Sequence, residues 1–120
     1  ELQAGGYLEL PNQPRFALSG SWTVSLWVKL DATDTDGGVL LKRAIDDDET
    51  GATSFASVNY EIGLDNTLTP YVRFTSDSDS GNVEVKVAAR QAVQTGVWTH
   101  VAGVYDDAAQ TLSITVDNGY

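Results

Sequence analysis

The sequence lacks cysteine altogether and contains a single histidine, His100. A disulfide scaffold and thiolate chemistry are therefore excluded, although the lack of cysteine does not identify a compartment. A zinc site would have to be built from carboxylates throughout, because thiolates are absent and imidazole is nearly so. Hydrophobic runs are also short, and none approaches the roughly 18 apolar residues of a membrane-spanning helix. We therefore expect no membrane span.

Positive charge is scarce in this chain. Its 120 residues include 7 Lys and Arg against 17 Asp and Glu, which gives a formal net charge of −10. This balance argues against nucleic acid and anionic membranes as partners, because binding to either requires basic surface. A cation site or a strongly solvated acidic surface remains compatible with it.

Helical periodicity is nearly absent, and apolar residues instead alternate with polar ones at a period of two. Tyr60, Ile62 and Leu64 share one face of such a run, for example, while Glu61 and Gly63 lie on the other. This alternation predicts an all-β fold, an antiparallel two-sheet β-sandwich of the jelly-roll type. We predict eight strands, near residues 6–10, 21–30, 38–43, 57–65, 70–75, 82–89, 97–105 and 111–117.

The dipeptide Asn118-Gly119 follows the last alternating run. Asn-Gly after such a run is a strong signal for a hairpin turn, which requires a returning strand. We therefore expect the sandwich to be incomplete at its C-terminal end. The partners that would complete it are the remaining strands of the same domain or a strand of another chain.

Two segments, "SWTVSLWVK" and "TGVWTHVAGVYD", are similar to the laminin-G-like, concanavalin-A-like jelly rolls of bacterial secreted proteins, which are related in architecture to pentraxins. The resemblance extends over residues 5–119. It implies a single domain over residues 1–120, as the N-terminal portion of a larger domain or protein. It also implies a secreted or cell-surface setting and a binding role, since many such domains bind glycans and some bind calcium.

The aromatic residues have competing interpretations. We expect His100 to be structural, hydrogen-bonding within the sheet, because no nearby Ser, Cys or second His could form a triad or metal cluster with it. Trp27 and Trp98 are expected to be core anchors, with sugar binding as the alternative. Trp22 begins a strand, where an indole could stack on a sugar ring, so it is our candidate ligand-binding residue. The alternative role for Trp22 is a lid on the edge of the sandwich.

Acidic residues concentrate in the connections after the third, fifth and seventh predicted strands, which share one end of an antiparallel sandwich. Calcium suits such a rim, because it accepts six to eight oxygen ligands in flexible geometry. The alternative is a solvated rim without a metal. The adjacent carboxylates are the better candidates for calcium ligands, namely Asp46, Asp47, Asp48, Asp106 and Asp107.

Catalysis is not expected. Glucanases of this architecture need two carboxylates close together on one strand face. Glu61 and Asp65 share a face but lie roughly 13 Å apart by strand rise, which is too far. The leading interpretation is a non-catalytic recognition module that binds carbohydrate or a protein surface, assisted by calcium. The alternatives are a structural domain completed by strand pairing and an accessory domain of a carbohydrate-active enzyme.

Overall fold

The computed structural model describes residues 6–45, 57–78 and 81–117, which form a 3₁₀ turn at Pro14–Phe16 and seven β-strands. The fold class is therefore all-β, as the alternation predicts. The strands are β1 (Trp22–Val28), β2 (Gly38–Ile45), β3 (Ser57–Leu64), β4 (Pro70–Ser78), β5 (Gly81–Ala88), β6 (Thr99–Asp106) and β7 (Thr111–Asp117).

The strands form two antiparallel sheets. The three-stranded sheet has the order β1-β6-β7, and the four-stranded sheet has the order β2-β3-β4-β5. Consecutive strands pair throughout the four-stranded sheet, whereas the chain changes sheet between β1 and β2 and again between β5 and β6. The arrangement confirms the predicted two-sheet β-sandwich, with β6 at the centre of the smaller sheet.

The prediction of a strand at residues 6–10 is wrong. These residues are described, and they are exposed and outside both sheets. Alternation alone does not make a strand, because a strand needs a neighbour to satisfy its backbone N–H and C=O groups. The other seven predicted strands correspond to β1 to β7, although β4 extends three residues beyond its predicted end.

Aromatic rings from both sheets meet at one end of the interior. The ring of Trp22 on β1 lies 5.8 Å from Phe74 on β4, edge to face, and 6.3 Å from Tyr60 on β3. Tyr105 on β6 lies 4.7 Å from the same Phe74 ring. These contacts join the two sheets, because Phe74 and Tyr60 belong to the larger sheet and the other two rings belong to the smaller one.

Further along the interior, branched aliphatic side chains replace the aromatic rings. Ile62, Val72 and Val101 are fully buried between the sheets. Gly103 lies opposite Val72, and a Cβ at this glycine would fall 2.5 Å from Val72 Cγ2. The missing side chain therefore allows β6 to approach β4 closely.

We expect Gly103→Ala to lower the free energy of unfolding by about 1–3 kcal/mol, because the added methyl overpacks the contact with Val72. Gly38→Ala is the matched control, since a Cβ at Gly38 would meet nothing within 4 Å. Urea denaturation of the two variants measures the difference. Equal stabilities would contradict the close approach of the sheets.

Candidate functional site

The outer face of the three-stranded sheet carries a row of three chemically distinct side chains. The strand register places Trp27 of β1 beside His100 of β6, and His100 beside Asp117 of β7. The rings of Trp27 and His100 are 5.1 Å apart and inclined at 42°. An indole, an imidazole and a carboxylate therefore lie side by side across the whole width of this sheet.

Trp98 is the second exposed indole near this surface. It precedes β6 by one residue and lies two positions before His100, so a backbone that continues the strand would direct its ring to the same side. Trp27 is 56% exposed and Trp98 is 57% exposed. Two large apolar rings are thus open to solvent, and exposed tryptophans are common at binding surfaces.

The rest of this outer face is made of small and hydroxylated residues. Ser25 and Ala102 form the next cross-strand row with Thr115, and Thr23 follows beside Val104. These residues place hydroxyl groups near the aromatic rings. We call this outer face the aromatic face, defined by Trp27, Trp98, His100, Ser25, Ala102, Thr115 and Asp117.

The expectation that Trp27 and Trp98 are core anchors is wrong. The inward positions of β6 are Thr99, Val101 and Gly103, so that His100 points outward, two positions after Trp98. On β1, Val24 points into the interior. Trp27 lies three residues further along the strand and therefore points outward. The ring of His100 packs against Trp27 at the surface, and its expected hydrogen bond within the sheet stays a prediction.

Trp22, the predicted ligand-binding residue, lies in the core instead. Its side chain is 8% exposed and contacts aromatic rings of both sheets. An indole stacks on a sugar only when one of its faces is open to solvent. Trp22 therefore acts as an inter-sheet anchor, and the two tryptophans assigned to the core are the ones that the structure exposes.

Asp106 and Asp107, two of the predicted calcium ligands, lie at the β6–β7 turn and are exposed. Asp106 Oδ1 accepts a hydrogen bond from the amide of Ala109 (3.1 Å), which stabilises the turn. Asp107 Oδ1 accepts hydrogen bonds from the Tyr105 hydroxyl and from the side-chain amide (Nε2) of Gln110, both at 3.2 Å. Calcium needs six to eight oxygen ligands. The two carboxylates of this turn are therefore too few to form a calcium site by themselves.

The other predicted calcium ligands, Asp46, Asp47 and Asp48, lie outside the described residues. Within the described ranges, no three His, Cys, Asp or Glu side chains gather in a geometry that could hold a metal ion. The calcium site therefore stays a prediction that depends on the segment between β2 and β3.

A charged cluster lies on the outer face of the four-stranded sheet. Glu61 of β3 is fully buried there. Its carboxylate accepts two hydrogen bonds from Arg73 of β4, from Nε at 2.9 Å and from Nη2 at 2.8 Å. The Tyr71 hydroxyl donates a third at 2.7 Å, and Lys42 Nζ lies 3.8 Å away. Arg73 also donates to Glu84 on β5 at 2.6 Å.

These partners keep Glu61 ionised. Burial alone would raise the pKa of Glu61, but the hydrogen bonds from Arg73 and Tyr71, with the charges of Arg73 and Lys42, hold it below its ordinary value. Burial and the hydrogen bond to Glu61 raise the pKa of Tyr71 to about 12. The Glu61 carboxylate is therefore ionised near neutral pH, and its hydrogen bonds join β3 to β4.

The geometry defines a two-sheet sandwich of the lectin type with an exposed aromatic face. The family described as Laminin_G_3, of the concanavalin A-like lectin/glucanases superfamily, matches residues 2–118, and the chain belongs to it. Domains of this kind bind carbohydrate or protein, are generally non-catalytic and are typically extracellular. No curated protein and no solved structure matches the chain significantly. None of the helices in the described ranges has the length and apolar character needed to cross a bilayer.

We expect Trp22→Ala to lower the free energy of unfolding by about 3–5 kcal/mol, because it removes a buried ring at the junction of the sheets. Trp27→Ala should cost less than about 1 kcal/mol, since it removes only the surface contact with His100. Thermal or urea denaturation of the two variants compares them. A larger cost for Trp27→Ala would contradict the assigned orientation of β1.

We expect Glu61→Gln to lower the free energy of unfolding by about 1–3 kcal/mol at pH 7, because Arg73 loses its bidentate partner. Since the pKa of Glu61 is lowered in the folded state, its contribution is present above its ordinary value of 4.5 and is lost as pH falls through the folded-state pKa. The difference between wild type and variant should therefore narrow below about pH 4.5.

Urea denaturation between pH 7 and pH 3 follows this difference. Glu84→Gln is the control, because Glu84 contacts the same arginine but is 48% exposed, and it should cost less than about 1 kcal/mol. A difference for Glu61→Gln that is constant over the whole pH range would show that the Glu61 carboxylate is not stabilised in its ionised form.

Proposed function

We propose that this domain is a non-catalytic recognition module that binds carbohydrate on the aromatic face. The observation that carries the proposal is the exposure of Trp27 and Trp98 at the outer side of the three-stranded sheet. Solvated indole rings are unfavourable unless a partner covers them, and tryptophan is the residue most enriched at binding hot spots. The family supports the same role at the level of carbohydrate or protein binding.

The chemistry of the aromatic face favours carbohydrate over protein. A sugar ring presents an apolar C–H face and a rim of hydroxyl groups. Trp27 and Trp98 offer apolar surfaces for the first, while Ser25, Thr115 and Asp117 carry oxygen atoms that can exchange hydrogen bonds with the second. Indole rings and hydroxyl groups side by side therefore match both parts of a sugar ring.

The carboxylates support a binding role rather than a catalytic one. The ionised Glu61 carboxylate is paired with Arg73, and Asp65 accepts hydrogen bonds at the β3–β4 turn from Thr67 and Thr69. A general acid must carry a proton near the working pH, and these contacts favour the ionised form of both groups. We place the domain in a secreted or cell-surface protein, which is the setting typical of the family.

The test is a glycan array followed by calorimetric titration of the glycans retained, with calcium and with chelator. We expect wild type to bind and Trp27→Ala and Trp98→Ala each to weaken binding at least about tenfold, as is usual for a hot-spot tryptophan. Tyr7→Ala is the matched control, because Tyr7 is an exposed aromatic residue outside both sheets, and it should bind like wild type.

The calcium arm tests the predicted ligands separately. A loss of glycan binding in chelator that is reproduced by Asp106→Asn with Asp107→Asn would support calcium at the rim. Retention of no glycan in either condition, or unchanged binding by both tryptophan variants, would refute the proposed site.

A further inference from the structure

The three-stranded sheet has a depression at the end of β1 and β6 that lies away from Trp27. Its volume is about 350 Å³, and the residues that line it are Ser21, Trp22, Thr23, Val104, Tyr105 and Asp106. On the inner side, the rings of Trp22 and Tyr105 pack against Phe74 of the other sheet. The depression therefore opens on the outer side, where Thr23 and Val104 are exposed.

The depression and Trp27 lie on the same outer face. Thr23 and Val104 form one cross-strand pair in the depression. Trp27 lies four residues further along β1 than Thr23, which is roughly 13 Å at the rise of a strand. Because the two residues have the same parity, their side chains point to the same side of the sheet. One surface thus has two ends that are further apart than the length of a single sugar ring.

The middle strand, β6, provides a narrow apolar path between these two ends. Its outward positions alternate with the buried residues of the strand. Ala102 follows His100 at the next outward position, and Val104, which is 36% exposed, follows Ala102. Both side chains are small and uncharged, so the C–H faces of successive sugar units can lie over them.

Hydroxyl groups border this path on both sides. Every outward residue of β1 before Trp27 and of β7 before Asp117 carries one, and these residues are Thr23, Ser25, Thr111, Ser113 and Thr115. The two rows lie on either side of β6, two strand spacings or about 10 Å apart. Threonine is common in strands for other reasons. Hydroxyl groups on both flanks of one apolar path, however, match a chain of sugar rings whose own hydroxyls point to both sides.

On the basis of the carbohydrate binding proposed above, we propose that the ligand is an extended linear oligosaccharide. It lies along β6, with one end on the indole of Trp27 and the other end in the depression beside Thr23 and Val104. A disaccharide that stacks on Trp27 covers only part of the path. A longer chain also gains the contacts with both hydroxyl rows and with the depression, so the length of the glycan determines its affinity.

The first test is calorimetric titration with linear oligomers of glucose, galactose, mannose, xylose and N-acetylglucosamine, each from the dimer to the hexamer. In a series that binds, we expect the affinity to rise with length, and the hexamer to bind at least about tenfold more tightly than the dimer. Trp27→Ala should weaken the binding of dimer and hexamer alike, because both stack on this ring.

The second test blocks the depression. Val104→Arg places a long side chain there, and it should reduce the affinity for the hexamer to that for the dimer without changing the affinity for the dimer. Val83→Arg is the matched control, because Val83 is an exposed valine of β5 in the other sheet. It should bind both oligomers like wild type. Circular dichroism checks the folding of each variant.

Amide NMR of the 12.9 kDa domain locates the ligand without any substitution. The hexamer should shift the amide signals of Thr23 and Val104 as well as those around Trp27. The dimer should shift only the signals around Trp27.

Equal affinities of wild type for dimer and hexamer overturn the extended site but leave glycan binding at Trp27 intact. The same holds for a folded Val104→Arg protein that keeps its preference for the hexamer, and for hexamer-induced shifts confined to the surroundings of Trp27. Absence of binding by every oligomer at every length overturns the proposed function and the extended site together.

Discussion

Contact between aromatic rings of the two sheets is the interaction on which the rest of the structure depends. Trp22 and Tyr105 come from one sheet and meet Phe74 and Tyr60 of the other. Because successive residues of a strand point to opposite faces, this inward position of Trp22 determines the direction of every other side chain on β1. Trp27 must then point outward, and with it the surface that we propose for binding.

The outer faces of the two sheets differ in how their polar groups are used. On the four-stranded sheet, Glu61, Tyr71 and Arg73 satisfy one another, so the face is closed by its own ion pairs and hydrogen bonds. On the three-stranded sheet, aromatic rings and hydroxyl groups are left open to solvent. A buried charge requires internal partners, whereas an exposed indole gains from an external one. This contrast explains why recognition is assigned to the smaller sheet.

Much of the fold was predictable from the alternation of apolar and polar residues. The same alternation also indicated which tryptophans point into the core. Trp22 has the same parity as Val24 and Leu26, so the period of two already indicated that it points inward. Its place at the start of a strand does not override this parity, so Trp22 and Trp27 have the opposite roles to those predicted. The bidentate contact between Glu61 and Arg73 had no such signal, because it joins two strands whose register is set only by pairing.

By itself, the sequence determined that the chain forms two-faced strands joined by turns, since alternation and turn residues act through local backbone geometry. It also determined which residues share a face within each strand. Tertiary structure decided which strands are neighbours and which of the two faces meets the other sheet. Residues 6–10 show the reason: they alternate as β7 does, but only a strand with a partner for its backbone hydrogen bonds joins a sheet.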